Sequence, residues 1–397
     1  MLRREFLGTS LSLMATGLGA SPVREEDRER WRVGVIGHTG HGHYGHQLHT
    51  MWLELPETQI VGLADPDDAG RNKALEQLGD VPSYGDYRTM LEEARPEIVA
   101  VCPRHLEQHY DRVMAAVSSG ARGIYCEKPF CRTPAEADDI VTHCKSRGVR
   151  LALAHRNRAH PAVPVVRQAV ADGIIGRVLE IRCRGLEDRR GGAQDLWVLG
   201  THLFDLARVF AGDAVSCSAI ILQDNRPVTA NDLVEGEEGV GLIAGNRLHA
   251  RYESTSSIPI FFDSLQGAGI KEANFGLQLI GTKGLIDFRI DVEPLAHLVP
   301  GNPFQPTSEA RDWIPISSRG VGEQEPIENL QQLVSRHTLS ARDLISAIID
   351  ERPPVSSAED GRAIVEMIHA AFTSHSLGGA RVSLPLSDRR HGFYLWS

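Results

Sequence analysis

Cysteine, long apolar segments and excess positive charge are all scarce in this sequence. Its six cysteines are too few and too scattered for a disulfide framework or paired Cys-x-x-Cys metal knuckles, and we predict buried thiols. After the first twenty residues, no apolar run approaches the roughly 18 residues needed to cross a bilayer. The net charge of −10 excludes a basic field that collects nucleic acid or anionic lipid. We therefore expect a soluble mature chain without nucleic-acid or membrane partners.

The length and the N-terminal residues indicate how the chain is organised. At about 100–200 residues per domain, 397 residues predict two or three domains. Arg3 and Arg4 precede Phe6, Leu7 and a short, weakly apolar stretch, which is typical of a twin-arginine export signal. We interpret residues 1–20 as this signal and 21–30 as a charged tether, and we expect a periplasmic or cell-envelope location. An ordinary N-terminal helix and an uncleaved anchor are the alternatives.

A strand, a glycine-rich loop and a predicted helix follow one another from Trp31. Residues 40–45 fit the GxGxxG pattern, and residues 47–55 have helical character. Glycines let the backbone approach a pyrophosphate, and the free N–H groups at the start of a helix bind the anion. The pattern predicts a dinucleotide-binding loop, whose cofactor-binding residues are Gly37, Gly40, Gly42, Tyr44 and Gly45.

An acidic residue ends the second predicted strand, 28 residues after Gly37. Asp65 is placed to accept hydrogen bonds from the adenosine ribose, and Pro66 stands where an arginine would bind the 2′-phosphate of NADP. The sequence therefore predicts NAD as the cofactor, with NADP less favoured.

Histidine is dense in the glycine loop, which raises the hypothesis of a metal site. The run consists of His38, His41, His43, His46 and His49. Zinc ligands also include cysteine and carboxylate, and neither falls inside this run. Because the glycines account for the loop without an ion, we predict no metal.

Strands and helices alternate in the first part of the chain, and strands dominate afterwards. Such alternation requires a parallel sheet with right-handed crossovers. We predict an α/β Rossmann domain with a doubly wound parallel sheet at 31–155. An α+β domain with a largely antiparallel open sheet follows at 156–385, with late helices packing back on the first domain, and a tail at 386–397. The strands predicted in the second domain are 178–184, 215–222, 239–243, 248–254, 274–280 and 285–288.

Three further segments make a family resemblance specific: 126–130 (CEKPF), 200–205 (GTHLFD) and 360–363 (DGRA). Together with the glycine loop and Asp65, they resemble the glucose-fructose oxidoreductase, inositol dehydrogenase and rhizopine-catabolism (Gfo/Idh/MocA) superfamily over nearly all of the mature chain. The resemblance implies that Lys128 lies beside nicotinamide and substrate and that the Lys128–Pro129 peptide is cis. It also implies that Glu127 and Pro129 belong to the cofactor-binding residues. We expect Glu127 to brace the loop and not to take part in the reaction. Homo-oligomerisation through the second sheet is expected.

His202 and Asp205 stand three residues apart on a predicted helix and therefore share a face. The family pattern pairs this histidine with an aspartate four residues earlier, where this sequence has Val198; Asp195 substitutes only if the helix start shifts. We predict His202 as the general base, Lys128 as the group that stabilises the developing alkoxide, and Asp205 as the residue that orients the imidazole or binds a hydroxyl. Further candidates for the cleft are Arg156, Asn157 and Arg158.

These assignments predict an oxidoreductase that transfers a hydride between a sugar or polyol carbon and nicotinamide. Two alternatives remain open. The same scaffold can oxidise a glycoside transiently so that the aglycone is eliminated, which is net hydrolysis with recycled NAD. The other alternative is a catalytically inactive protein that binds a sugar and a nucleotide. Val198 favours this alternative, whereas Lys128 and His202 argue against it.

Overall fold

The computed structural model describes residues 30–268, 275–394 and 396. The predicted export signal at 1–20 and nearly all of the predicted tether lie outside the described residues. Within those ranges, no helix combines the length and the apolar character that crossing a bilayer requires. All six cysteines fall in the described ranges and are buried free thiols, as predicted.

The first domain is built on a parallel sheet, which confirms the predicted doubly wound fold. Its strands are β1 Trp31–Ile36, β2 Thr58–Ala64, β3 Ser83–Tyr84, β4 Ile98–Val101, β5 Gly123–Cys126 and β6 Arg150–Leu153. Its helices are α1 Asp68–Leu78, α2 Tyr87–Ala94, α3 His109–Ser118 and α4 Pro134–Arg147. The strand order is β3-β2-β1-β4-β5-β6, so the winding reverses between β1 and β4. Ligands of such sheets bind outside the carboxyl ends of the strands at this reversal.

Local sequence signals account for the helix ends, as α4 illustrates. The Thr133 side chain accepts a hydrogen bond from the Glu136 backbone N–H, and Pro134 occupies the first turn, where no intrahelical donor is needed. Gly148 ends the helix with a φ of 69°, in the left-handed region that glycine adopts without strain.

The second domain carries a ten-stranded sheet in its described part. Its helices are α5 Ala162–Ala171, α6 Ala193–Val198, α7 Gly200–Ala211, α8 Leu330–Ser335, α9 Thr338–Ile349 and α10 Ala358–Ser376. Its strands are β7 Val178–Arg184, β8 Ala214–Gln223, β9 Arg226–Pro227, β10 Val234–Glu235, β11 Leu242–Ile243, β12 Arg247–Ser254, β13 Ile260–Leu265, β14 Gly276–Gly281, β15 Gly284–Arg289, β16 Ala296–Pro300, β17 Ile314–Ile316 and β18 Val382–Ser383. The sheet follows the order β17-β16-β15-β14-β7-β13-β12-β8-β18, with β9 on β8, while β10 and β11 pair separately.

Neighbouring strands of this sheet run antiparallel except β7 and β13, which confirms the predicted architecture. Helices α7 and α10 pack on it and bury Phe204, Tyr252, Phe262 and Phe372. Oligomerisation through this sheet stays a prediction.

Helix α9 belongs by sequence to the second domain but packs on the first sheet. Its side chains Leu344, Ile345 and Ile348 share a core with Trp52 and Tyr125 and lie against β5 and β6. This helix therefore joins the two domains through buried apolar surface, which is the main stabilising term in such contacts.

Two of the predicted elements are wrong. Residues 47–55 form turns and one short 3₁₀ helix, Met51–Glu54, because Gln47 has a left-handed φ of 64° and interrupts helical geometry. No α-helix start therefore follows the glycine loop directly. The predicted strand 239–243 is reduced to β11, since Gly239 and Gly241 have φ of 70° and 77° and leave the extended region.

The C-terminal residues pack on the body of the protein instead of forming a tail. Phe393 is fully buried, and its ring stacks on Phe372 at a centroid distance of 4.6 Å and on Trp396 at 5.3 Å. Leu386 is also buried against the same core.

We expect Phe393→Ala to lower the free energy of unfolding by about 3–5 kcal/mol, because it removes a buried aromatic ring and leaves a cavity. Denaturant unfolding followed by circular dichroism measures the change. Phe304→Ala is the control, since Phe304 is 65% exposed and its removal should change stability by less than about 0.5 kcal/mol. Equal stabilities of the two variants would contradict the packing described here.

Candidate active site

Lys128 lies immediately after β5, at the carboxyl edge of the parallel sheet. Its side chain is 3% exposed, and Nζ donates a hydrogen bond to the Val198 carbonyl oxygen at 3.1 Å. Burial lowers the pKa of Lys128 below its usual 10.5, an effect that the nearby carboxylates of Glu127 and Glu238 oppose. The Lys128–Pro129 peptide is cis, as the family resemblance implied. The hydrogen bond ties the first domain to α6 of the second.

His202 projects from α7 and is brought close to Lys128. Burial lowers its pKa well below 6.5, and the charge of Lys128 acts in the same direction, so the imidazole is neutral at pH 7. Its ring stands edge to face with His155 at 5.5 Å and with Phe275 at 6.2 Å. The structure thus brings together the two predicted catalytic groups.

Asp205 is the predicted partner of His202, but its carboxylate is directed elsewhere. It is fully buried, and Oδ1 accepts hydrogen bonds from Arg158 Nη1 and Ser356 Oγ, each at 3.1 Å. The same oxygen lies 3.6 Å from His155 Nδ1. Asp205 therefore supports His155 instead of orienting His202.

His155 is a functional candidate that sequence reasoning missed. It follows β6 directly, and its Nδ1 lies 3.0 Å from Ser356 Oγ. Because the Ser356 hydroxyl donates to Asp205, its oxygen accepts from His155 Nδ1–H, which leaves Nε2 as the basic nitrogen. Within the described ranges, His155 Nε2 is buried without a hydrogen-bond partner. The signal in the sequence was its place before Arg156, Asn157 and Arg158, at a strand end.

The three residues after His155 hold the domains together around this site. Arg156 Nε donates to Asp291 Oδ1 at 2.8 Å, and Asn157 Nδ2 donates to the same oxygen at 2.9 Å. Arg158 binds Asp205 through both the carboxylate and, at 2.7 Å, the backbone carbonyl. These predicted cleft residues are engaged in internal contacts.

Asp195 does not replace the aspartate that is missing at position 198. Its carboxylate accepts hydrogen bonds from the backbone N–H groups of Leu186 and Glu187 and from Ser264 Oγ. Burial raises its pKa, and these donors limit the rise. Asp195 therefore fixes the loop that carries Leu186 and Glu187, and Val198 contacts Lys128 through its carbonyl oxygen.

Glu127 anchors the glycine loop. Its Oε2 accepts from His46 N at 3.0 Å and lies 2.9 Å from His46 Nδ1, while Oε1 accepts from the Lys128 backbone N–H. Although burial alone would raise it, the pKa of Glu127 is held far below its usual range by His46 and Lys128. Gly45 passes against this carboxylate with a φ of 60°, and a Cβ there would overlap Glu127 Oε2 and the Cys102 carbonyl. Pro129 contributes its carbonyl oxygen to His109 Nδ1 at 2.9 Å.

The remaining predicted loop residues define a tight, self-packed turn. A Cβ at Gly37 would overlap the Tyr44 ring, and one at Gly42 would overlap the backbone of Arg104. Gly40 has a φ of 86° with open space around it. Three of these positions thus have contacts or a backbone angle that require or favour glycine.

Asp65 is fully buried and is bound by its own chain. It accepts hydrogen bonds from Thr39 N at 3.1 Å, Thr39 Oγ1 at 2.8 Å and Asp67 N at 3.0 Å. The predicted contact with ribose hydroxyls therefore requires Thr39 to release the carboxylate. A cavity of about 320 Å³ borders Asp65 where the carboxyl ends of β1 and β2 meet, lined also by Gly37, Pro66, Gly85, Asp86 and Arg112.

The carboxyl edge of the sheet, where the strand order reverses, has room and polar groups for a dinucleotide and a polar substrate beside it. The cavity beside Asp65 matches the place where this fold holds adenosine. Near Lys128 and Glu127, three buried imidazole nitrogens have no hydrogen-bond partner among the described residues: His155 Nε2, His202 Nδ1 and His337 Nε2. Unpaired buried polar atoms are rare in native proteins unless a ligand or water serves them.

We expect Gly45→Ala to raise the Kd for NAD at least about tenfold, because its Cβ displaces the Glu127 carboxylate that holds the loop and the left-handed φ adds strain. Fluorescence titration with NAD measures the affinity. Gly148→Ala is the matched control, with a φ of 69° and no atom near its Cβ, so it reports the strain alone. Unchanged NAD affinity of Gly45→Ala would contradict this view of the loop.

Comparison with known proteins agrees with the geometry. Residues 31–155 match the GFO_IDH_MocA family model, described as "Oxidoreductase family, NAD-binding Rossmann fold". The chain is 26% identical over 340 residues to the D-apiose dehydrogenase of Paraburkholderia graminis, covering 78% of this chain and 89% of that protein. It is 26% identical over 209 residues to the levoglucosan dehydrogenase of Pseudarthrobacter phenanthrenivorans, covering 48% of this chain and 51% of that protein.

Solved structures show the same fold over nearly the whole chain. A levoglucosan dehydrogenase in complex with NADH and levoglucosan aligns with a TM-score of 0.70 at 19% identity, covering 90% of this chain and 100% of that one. The WlbA dehydrogenase from Bordetella pertussis, in complex with NADH and UDP-GlcNAcA, aligns with a TM-score of 0.66 at 15% identity and the same coverage. Family model and fold agree: residues 31–155 form an NAD-binding Rossmann domain of the GFO_IDH_MocA oxidoreductase family, and the chain as a whole is similar to these dehydrogenases in sequence and fold.

Proposed function

We propose that the protein is an NAD-dependent dehydrogenase that oxidises a hydroxyl group of a sugar or polyol. The observation that carries the proposal is the convergence of one buried amine, Lys128, with two buried neutral imidazoles, His155 and His202, at the carboxyl edge of the Rossmann sheet. The curated relatives named for D-apiose and levoglucosan support the substrate class.

Oxidation of an alcohol removes a hydride from carbon and a proton from oxygen. Bound NAD supplies the hydride acceptor. The protein must supply a proton acceptor and stabilise the negative charge that develops on the oxygen. Lys128 suits the second role, because its ammonium group is buried where water does not screen it.

His155 is the proton acceptor that we favour. Its basic Nε2 is free of protein partners within the described ranges, and Asp205 and Ser356 lie behind Nδ1. The carboxylate stabilises the imidazolium ion that forms when Nε2 takes the proton. His155 and Asp205 thus form the acid–base pair that His202 cannot form with Val198. His202 then serves to bind the substrate hydroxyl.

Polar groups around Lys128 suit a hydroxylated substrate. Glu238 and Arg190 lie near Lys128, where the carboxylate of Glu238 raises the pKa of the lysine and the guanidinium of Arg190 lowers it. Glu238 Oε2 is buried and has no hydrogen-bond partner in the described residues. Arg190 also lines a cavity of about 550 Å³, together with Arg189, Gln194, Asn231 and Asp232. We propose that this cavity accommodates substituents of the sugar.

Incubation of the purified protein with NAD and a panel of sugars, polyols and glycosides tests the function by absorbance at 340 nm. We expect steady NADH formation with at least one sugar or polyol, and a kcat about 10²–10³ lower for Lys128→Met, which loses the charge that stabilises the alkoxide. Lys145→Met, on the exposed side of α4, is the control and should keep the wild-type rate. Release of aglycone without accumulation of NADH would refute net dehydrogenation.

The pH dependence of kcat/KM identifies the base. Burial lowers the pKa of His155 below 6.5, so oxidation should fall on the acid side, where the imidazole takes up a proton, and should stay constant above about pH 6.5 until Lys128 loses its own proton on the basic side. We expect His155→Gln to reduce kcat about 10²–10⁴-fold and to abolish the acid limb, while His202→Gln mainly raises KM. Loss of the acid limb in His202→Gln, with its retention in His155→Gln, would assign the base to His202 instead.

A further inference from the structure

Two histidines and a glutamate from different loops meet at the rim of the glycine loop. His41 Nδ1 lies 3.3 Å from Glu107 Oε1, and His105 Nδ1 lies 3.8 Å from the same oxygen. One ligand atom from each of the three side chains lies within 4.8 Å of the other two. Ligands bound to one zinc ion at about 2.0–2.2 Å are separated by roughly 3–3.5 Å, so small side-chain rotations suffice to place all three around an ion.

The backbone holds the two loops in register. Arg104 N donates to the Gly42 carbonyl at 3.3 Å, and a Cβ at Gly42 would overlap Arg104. His41 therefore faces the segment that carries His105 and Glu107. From the sequence we predicted no metal, because the histidine run contains neither cysteine nor carboxylate; the fold supplies a carboxylate from Glu107.

We propose that His41, His105 and Glu107 bind a divalent transition metal ion, with Zn²⁺ as the reference ion. Two imidazole nitrogens and one carboxylate oxygen form a ligand set that suits zinc and its neighbours, whereas Mg²⁺ and Ca²⁺ prefer oxygen ligands alone. Three protein ligands leave a further coordination position for water or an anionic group.

The second oxygen of Glu107 supports the site independently. Oε2 is buried and, among the described residues, has no hydrogen-bond partner. Gly239, from the segment between β10 and β11, covers it so closely that a Cβ there would overlap the oxygen. A buried, unpaired carboxylate oxygen is costly, and a bound cation offsets that cost. The His41 side chain, 54% exposed, gives the ion access from solvent.

The ion would join the glycine loop to the loop after β4, on the two sides of the dinucleotide crevice. It is separate from Lys128 and His155, and the proposed hydride transfer does not require it. Its absence would therefore leave the proposed function intact.

Isothermal titration of the untagged, EDTA-treated full chain with ZnCl₂ tests the site. We expect one equivalent to bind, with an affinity at least about tenfold lower in His41→Ala and in Glu107→Gln. His143→Ala is the matched control, because His143 Nδ1 lies 3.1 Å from Asp139 in a pair that no third metal-ligating side chain joins within the described residues. Zinc affinity that is unchanged in both site variants, or absent at millimolar metal, would overturn the proposal.

Cobalt keeps the test decisive if a variant fails to fold. Co²⁺ bound by His41, His105 and Glu107 of the wild-type protein should show the visible absorption of a protein-bound ion, displaced by Zn²⁺. Zinc should also raise the Tm of the wild type and of His143→Ala, since a ligand that binds the folded state stabilises it. A spectrum identical to that of aqueous Co²⁺, with no shift in Tm, would count against the site.

Discussion

The buried carboxylate of Glu127 is the constraint on which the site depends. A charge taken out of water is tolerated only when other groups compensate it, and Glu127 receives three such contacts, two from His46 and one from the Lys128 backbone. Its negative charge in turn offsets part of the burial penalty on the Lys128 ammonium. The glycine loop and the lysine are therefore held by one carboxylate.

The acid–base machinery shows how one substitution is accommodated by neighbouring elements. Valine at position 198 places no carboxylate at the end of α6, yet its carbonyl still accepts a hydrogen bond from Lys128. Asp205, one turn further along the helix than His202, is directed at His155 through Ser356. An aspartate and a histidine are thus still paired in this protein, although the histidine comes from the end of β6 in the first domain.

Periodicity and motifs predicted the strands, the helices and the motif residues, which depend on short segments. The conformation of the glycine loop and the partners of the buried carboxylates depend on tertiary contacts and were not predicted. Alternating strands and helices were enough to predict the parallel sheet, whereas the cis peptide after Lys128 was predicted from the family resemblance that the Glu-Lys-Pro segment carries. The glycine loop departs from a helix because His46 is bound to Glu127, 81 residues away, and Gln47 adopts a left-handed angle that local sequence does not announce. The hydrogen-bond partners of Asp65 and Asp205 could not be predicted from the sequence either, because Thr39 and Ser356 are distant along the chain and approach these carboxylates only in the folded protein.

The position of α9 has a consequence for how the protein is divided. The segment recognised as a Rossmann domain ends at residue 155, but the apolar side of β5 and β6 is completed by Leu344, Ile345 and Ile348, almost two hundred residues later. Excised on its own, that segment would present Tyr125 and Trp52 to water, and exposed patches of this kind promote association between chains. The core of the recognised domain is thus completed from outside its boundary, and its native packing requires that residues 338–349 have also been synthesised.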